Sequence, residues 1–329
     1  MKRLLILLIL GVTIIGCKKD NNDNRTSPAP KVTNAGYDGT LLFVDKAQDF
    51  QIQTDVSSEF SSNNPNIEIT STGLIKRFMS GEVVPITITD KANSAYKTTI
   101  YALAATDVTF VKPFSDYHGE DATDAVGSYR QGWNTLKKLP VSNETYVIVV
   151  RHADADDGID YSVNHSDAGP ANWWKSCDAA QARQLSTIGK QNATDLGKIF
   201  KNLNYTISRV YSSEFCRAVS TATLINAGPT IQINAGFNHP SHNVTVRSLF
   251  DNLVNLLKVQ PVDNKLSLVV AHHPLNRIDR TDYPTFPKVI PFIWTGSYFV
   301  KVSANHNLTY EGAVSLSMYK YWRDLKVKK

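Results

Sequence analysis

Apolar positions change their rhythm along the chain. From about Val32 to Ala105 they come in short alternating runs, Leu41 to Val44, Asp49 to Thr54, Ile67 to Ile69, Pro85 to Thr89 and Thr98 to Leu103, separated by polar turns. Alternation with period two marks half-buried strands, and this spacing predicts a small all-β sandwich. Residues 106–144 are a transition, with a strand expected from Val108 to Phe114 and a helix from Arg130 to Leu139, ended by Pro140. The pattern then becomes strand, helix, strand, helix. Thr145 to Val150 is an unbroken, β-branched apolar run, as in a strand buried on both faces. Ser186 can cap a helix whose buried stripe is Ile188, Leu196, Ile199, Phe200 and Leu203. Ile207 to Ser212 and Leu266 to Ala271 read as further strands, a helix opens near Phe215, and Ser248 to Val259 is an amphipathic helix. Such alternation predicts an α/β three-layer sandwich with a mostly parallel sheet, whose ligands bind beyond the carboxyl ends of the strands.

The first residues belong to neither pattern. Met1-Lys2-Arg3 is positive, Leu4 to Ile15 is almost wholly apolar, and Gly16-Cys17 closes the run. It is shorter than the roughly 20 residues of a spanning helix and reads as a signal peptide. Cys17 after small and aliphatic residues resembles a bacterial lipobox, which implies removal of the signal and acylation of Cys17. A plain secretory signal or a membrane anchor is the alternative. Lys18 to Pro30 is too polar to fold alone and suits a tether beyond a lipid. The expected organisation is therefore signal peptide 1–17, tether 18–30, β-sandwich 31–106 and α/β domain 107–329, held by its lipid at a bacterial cell envelope. The outer membrane, on its periplasmic or surface side, is the expected place. The run from Ser61 to Ile75, with Ser80-Gly81 and Ile86 to Thr89, resembles a bacterial Ig-like domain, implying a spacer that holds the next domain off the membrane.

Composition adds exclusions. With 42% hydrophobic and 20% charged residues the chain can bury a sizeable core. Its net charge of +5 is mild, many of its basic residues lie at the two ends, and no basic stripe interleaved with aromatics occurs, so nucleic acid is excluded as a partner. Besides Cys17 only Cys177 and Cys216 are present. Export would place them where an even pair is expected to bridge, contributing about 4 kcal/mol; two unpaired buried thiols are the alternative.

The predicted strand ends carry the candidate chemistry: Arg151-His152 after the first, Ser213 to Arg217 after the second, His272-His273 after the third. Val149-Val-Arg-His-Ala153 resembles the Arg-His signature of the histidine phosphatase superfamily, which also holds the cofactor-dependent phosphoglycerate mutases. Leu185-Ser-Thr-Ile-Gly with Ala193 resembles its Leu-Thr-x-x-Gly helix, Ser212-Ser-Glu-Phe-Cys-Arg-Ala218 with Thr221-Ala222 its second arginine element, and Leu268-Val-Val-Ala-His272 its second histidine strand. The motifs stand in the family's order over about 145–325.

The resemblance implies a phosphoglycerate mutase-like fold and a phosphohistidine intermediate on His152. Arg151, Arg217 and His272 would hold the phosphoryl oxygens of a small phosphorylated substrate, with no cofactor. Exported members also carry cysteines at both places seen here, implying a Cys177–Cys216 bridge. A metal site is disfavoured, since His239-x-x-His242 and His272-His273 lack partners at zinc spacing. The pattern departs at the proton donor. No Glu lies between Arg217 and His272, and His273 stands where one branch has Asp. His239, Asp154 and Asp156 are the candidates. This gap favours one rival to a phosphatase, a lipoprotein that binds phosphorylated ligands with little turnover; a mutase is the third reading, disfavoured by the missing Glu and by the expected export. Trp173 and Trp174 either line a substrate wall or pack over the sheet.

Overall fold

A computed structural model of the chain describes residues 28–44, 50–105, 122–139, 143–155, 158–161, 169–238, 246–272, 283–287 and 290–327. Cys17, most of the tether, the strand expected over 108–114, Asp156, His239 and His273 lie outside the described residues.

The first half is all-β. β1 (Leu41–Val44), β7 (Lys97–Ala104), β6 (Val83–Asp90) and β3 (Ser58–Ser61) form one sheet in that order, and β2 (Phe50–Gln51), β5 (Leu74–Phe78) and β4 (Ile67–Ile69) a second. β3 and β5 were not among the expected strands. Each buries only two side chains fully, Ser58 and Phe60 in one, Ile75 and Phe78 in the other, too few for a clear alternation. Leu42, Val44, Ile86, Ile88 and Ala102, with Phe60 of the same sheet, share a cluster with Ile75 and Phe78 of the second sheet. The resemblance to Ig-like modules rests on the sequence.

β1 is buried at all four positions, because both its faces are covered. Leu41 and Phe43 turn away from that cluster and join a larger one with Tyr129 and Trp133 of α1 (Ala122–Lys138). Each such side chain is worth about 2 kcal/mol when fully buried. The seam also carries specific contacts: Tyr321 Oη donates to Thr40 O at 2.8 Å, Val83 N to Ser317 Oγ at 2.9 Å, and the Tyr101 and Tyr321 rings lie 4.4 Å apart. The β half is docked on the α/β half through a common core.

That half is built on a six-stranded sheet of order β10-β9-β11-β8-β12-β13: β8 (Thr145–Arg151), β9 (Ile207–Ser212), β10 (Ile231–Ile233), β11 (Leu266–Ala271), β12 (Ser297–Val302) and β13 (Leu308–Val314). β10, β9, β11 and β8 are parallel, and β12 runs against β8 and β13. β11 is buried along its whole length and β8 in all but Arg151, as both faces are covered. The helices are α1, α2 (Thr187–Asn202), α3 (Cys216–Ile225), α4 (Val246–Lys258) and α5 (Leu316–Val327). Among the described residues no helix is long and apolar enough to cross a membrane.

Register places the chemistry. Ala271 lies opposite Arg151, and Val270 opposite both Val150 and Ser212. The residues that follow, His152, Ser213 and His272, leave neighbouring parallel strands at one level of one edge. The His152 N–H still donates to Ala271 O at 2.9 Å, holding the first residue beyond β8 to the sheet.

Candidate active site

His152 is buried, with 5% of its surface exposed. Its Nδ1 lies 2.8 Å from Ala153 O, and the Nε of Arg217 points at its Nε2 from 3.3 Å. A carbonyl only accepts and a guanidinium only donates, so these partners assign the proton to Nδ1 and a lone pair to Nε2. On these partners the imidazole is neutral, with its Nε2 facing a cation.

Arg217 comes from the first turn of α3 and is almost wholly buried. Its guanidinium lies over the Phe215 ring, 4.5 Å from the centroid, and its Nη1 donates to Asp160 Oδ1 at 2.8 Å. The other Asp160 oxygen meets Arg183 Nε at 3.3 Å. Burial pulls the Arg217 pKa below its ordinary value, against the opposing pull of the Asp160 carboxylate. A buried guanidinium without a counter-charge is strongly destabilising, so Asp160 completes the site electrically. Thr221, one turn further along α3, accepts from the Ala153 N–H at 3.0 Å and donates to Arg217 O at 2.8 Å, tying the β8 end to the helix that carries the arginine.

His272 is fully buried, its Nε2 2.6 Å from Ser213 Oγ. Its ring meets His152 edge-on at 5.0 Å and packs on Phe215 at 4.7 Å. Arg151 donates through Nη1 to Phe292 O at 3.1 Å and lies over Trp294, whose ring is also 6.1 Å from that of His152. Two guanidinium groups, a neutral imidazole and a second imidazole thus converge beyond the sheet edge, an arrangement suited to a tetrahedral oxyanion.

The chain is similar over about half its length to several solved phosphatase structures. A protein histidine phosphatase SixA complexed with tungstate is 20% identical, with 52% of this chain and 97% of that chain covered and a TM-score of 0.36. A putative alpha-ribazole-5'-P phosphatase from Escherichia coli is 16% identical, with 53% and 98% covered and a TM-score of 0.36. A phosphoserine phosphatase mutant from Entamoeba histolytica, in complex with phosphoserine, is 17% identical, with 53% and 98% covered and a TM-score of 0.35. No protein-family model matches the chain, and neither does any curated protein.

The expected pair Cys177 and Cys216 is disulfide-bonded, with Cα atoms 5.3 Å apart. The bridge fastens the segment before α2 to the residue next to Arg217. Trp173 is buried and packs edge-on against Phe215 and Tyr161, so it belongs to the core. Trp174 donates to Glu214, which also holds Lys175 at 2.9 Å and accepts from Asn238. Burial would raise the Glu214 carboxyl, but hydrogen bonds from Lys175, Asn238 and Trp174 outweigh it and hold the pKa below the usual range. Glu214 is therefore an ionised fastener rather than an acid.

Asp154, a candidate proton donor, accepts from Ser186 Oγ, while its carbonyl accepts from the Ser186 N–H at 3.0 Å. Ser186 in turn caps α2 by accepting from Gly189 N. Asp154 is thus part of a helix cap. Ser213 and Thr221 stood in the second arginine element of the sequence without a role, and Asp160 and Arg183 were not singled out. The only signal for Asp160 was indirect: a buried arginine demands an acid, and the segment after β8 is rich in aspartates.

Proposed function

We propose that the protein is a phosphomonoester hydrolase that works through a phosphohistidine on His152. The observation that carries this reading is the assigned state of His152: a neutral ring whose Nε2 lone pair faces the Arg217 guanidinium. In the first step Nε2 attacks phosphorus, the P–O bond to the alcohol breaks, and the leaving oxygen takes a proton. Arg151, Arg217 and His272 hold the phosphoryl oxygens and stabilise their charge as it spreads. In the second step water attacks phosphorus and gives a proton back to the group that protonated the leaving oxygen, the N–P bond breaks with its electron pair returning to Nε2, and inorganic phosphate leaves. The proton stays on Nδ1, which donates it to Ala153 O throughout, keeping Nε2 the reactive nitrogen. With Asp154 engaged by Ser186, His239 is the donor we favour for the leaving oxygen.

The substrate on this reading is a small phosphomonoester. We further propose export and acylation of Cys17, which would hold the enzyme at a bacterial cell envelope, at the outer membrane; the N-terminal sequence pattern and the bridged cysteine pair support this. The rival reading, a lipoprotein that binds a phosphorylated ligand with little turnover, is favoured only by the unassigned donor. Hydrolysis of p-nitrophenyl phosphate by the purified protein and by His152→Ala separates the two. Turnover by the native protein alone, with a phosphoryl group trapped on His152, is the expected result. Equal rates for both proteins, or none for either, would overturn the mechanism.

A further inference from the structure

We propose that Asp160 is a positioning residue that aims Arg217 at the reacting phosphorus; this rests on the reading of His152 as phosphoryl acceptor. A guanidinium has distinct edges. Nε–H and Nη2 donate in parallel along one edge, while Nη1 lies on the side of the side-chain stem. Arg217 gives Nη1 to Asp160 at 2.8 Å and turns Nε toward His152 Nε2 at 3.3 Å. The carboxylate therefore fixes the guanidinium plane from behind. The edge shared by Nε and Nη2 faces the nucleophile, where a phosphoryl group would bring its oxygens. A fork-on-fork pair across that edge would instead have closed Arg217 to phosphate.

Asp160 is itself held in place. Its second oxygen meets Arg183 Nε at 3.3 Å, and it stands between His152 and the Cys177 bridge on the segment that links β8 to α2. The Phe215 ring under the guanidinium removes the remaining tilt. Aim and attraction then pull in opposite directions. The negative charge of Asp160 weakens the pull of the pocket on an anion, while its geometry sets the direction of the hydrogen bonds that count in the transition state.

The full chain is compared with Asp160→Ala, Asp160→Asn and Arg183→Gln, using p-nitrophenyl phosphate as substrate and inorganic phosphate as competitive inhibitor. Loss of aim should lower kcat of Asp160→Ala about 10- to 100-fold, as misplacement of a catalytic group by about 1 Å does. Its inhibition constant for phosphate should stay equal or fall, since a repelling charge has gone. Asp160→Asn keeps an acceptor for Nη1 without the charge and should recover part of kcat. Arg183→Gln leaves Asp160 in place with one partner fewer, and should lower kcat by less at unchanged phosphate inhibition; it carries the test should Asp160→Ala not fold. A merely structural role would weaken phosphate binding in step with kcat, and that result, or an Asp160→Ala variant within about twofold of the native kcat, overturns the proposal. A native protein without turnover overturns the phosphatase reading first, and the role of Asp160 falls with it.

Discussion

At the scale of single residues the site depends on which atoms donate and which accept. Thr221 accepts from the Ala153 N–H and donates to Arg217 O, so one hydroxyl couples the residue after His152 to the helix of Arg217. Thr221→Val keeps the shape and removes both bonds. Leaving the buried Ala153 N–H without its acceptor should cost about 1–3 kcal/mol, read as a lower unfolding midpoint in urea, with a fall in p-nitrophenyl phosphate hydrolysis as the His152 loop loosens. An unchanged midpoint would mean that water replaces the hydroxyl. His152, Arg217 and His272 were legible in the sequence because strand ends of a parallel sheet meet at one edge, and two chemical types recurred there. The roles of Thr221 and Ser213, which stood in the quoted motif, and of Asp160, which did not, were not legible, since they come from distances set only once the segments after β8 and β9 have folded back. The Asp154 alternative was legible as chemistry but not as geometry, because a carboxylate near a helix start serves equally as acid or as cap.

At the scale of elements, α2 shows how closely this site is packed. The helix begins with Ser186 accepting from Gly189 N, and Gly189 itself lies against the Asp154 carbonyl. A Cβ at Gly189 would sit 2.0 Å from Asp154 O. In an open helix Gly→Ala stabilises by about 1 kcal/mol. Here the sign should reverse, because backbone has to move: Gly189→Ala is expected to destabilise by about 1–3 kcal/mol and to reduce activity by pushing the residues just after His152. Thermal unfolding with a parallel assay checks both, and a variant more stable than the native protein would contradict this packing. Most strands and helices that position the site were readable from the sequence, including β9 and β11 end to end; β11 is buried along its whole length and reads as an apolar run broken only by Ser267, while β9 interrupts its apolar positions with the half-buried Ser208 and Arg209. β12, β13 and α5 were not recognised. The Tyr and Trp of α5 are as common in strands as in helices, and Gly312 interrupts β13 with a backbone φ of 91° where it meets Gly132 of α1. Only that close approach of helix to strand explains both glycines.

At the scale of the whole molecule, the question is how firmly the β half is held to the α/β half. Leu41, Phe43 and Leu103 share a core with Tyr129 and Trp133, so most of the holding is apolar and insensitive to pH. Asp38 adds a part that is not. Its carboxylate pairs with Lys137 of α1 at 2.8 Å and accepts from Thr40. Burial works to raise its pKa, but the hydrogen bonds from Lys137 and Thr40 and the Lys137 charge outweigh it and bring it from 3.8 down to about 2. A carboxyl with a depressed folded-state pKa contributes stability that is fully present above its unfolded value and is lost as pH falls through the folded one. The window is therefore from about pH 4 down to about 2. Because the Asp38 side chain is 43% exposed, solvent screens the pair, and its contribution should stay below about 1 kcal/mol. Comparing native protein with Asp38→Asn in thermal unfolding at pH 7 and at pH 2 isolates it. The variant should be slightly less stable at pH 7, and the difference should shrink at pH 2 and in high salt, where the apolar seam remains. A difference that grew on acidification would mean that the pair opposes docking, and the seam would then owe its stability to the shared core alone.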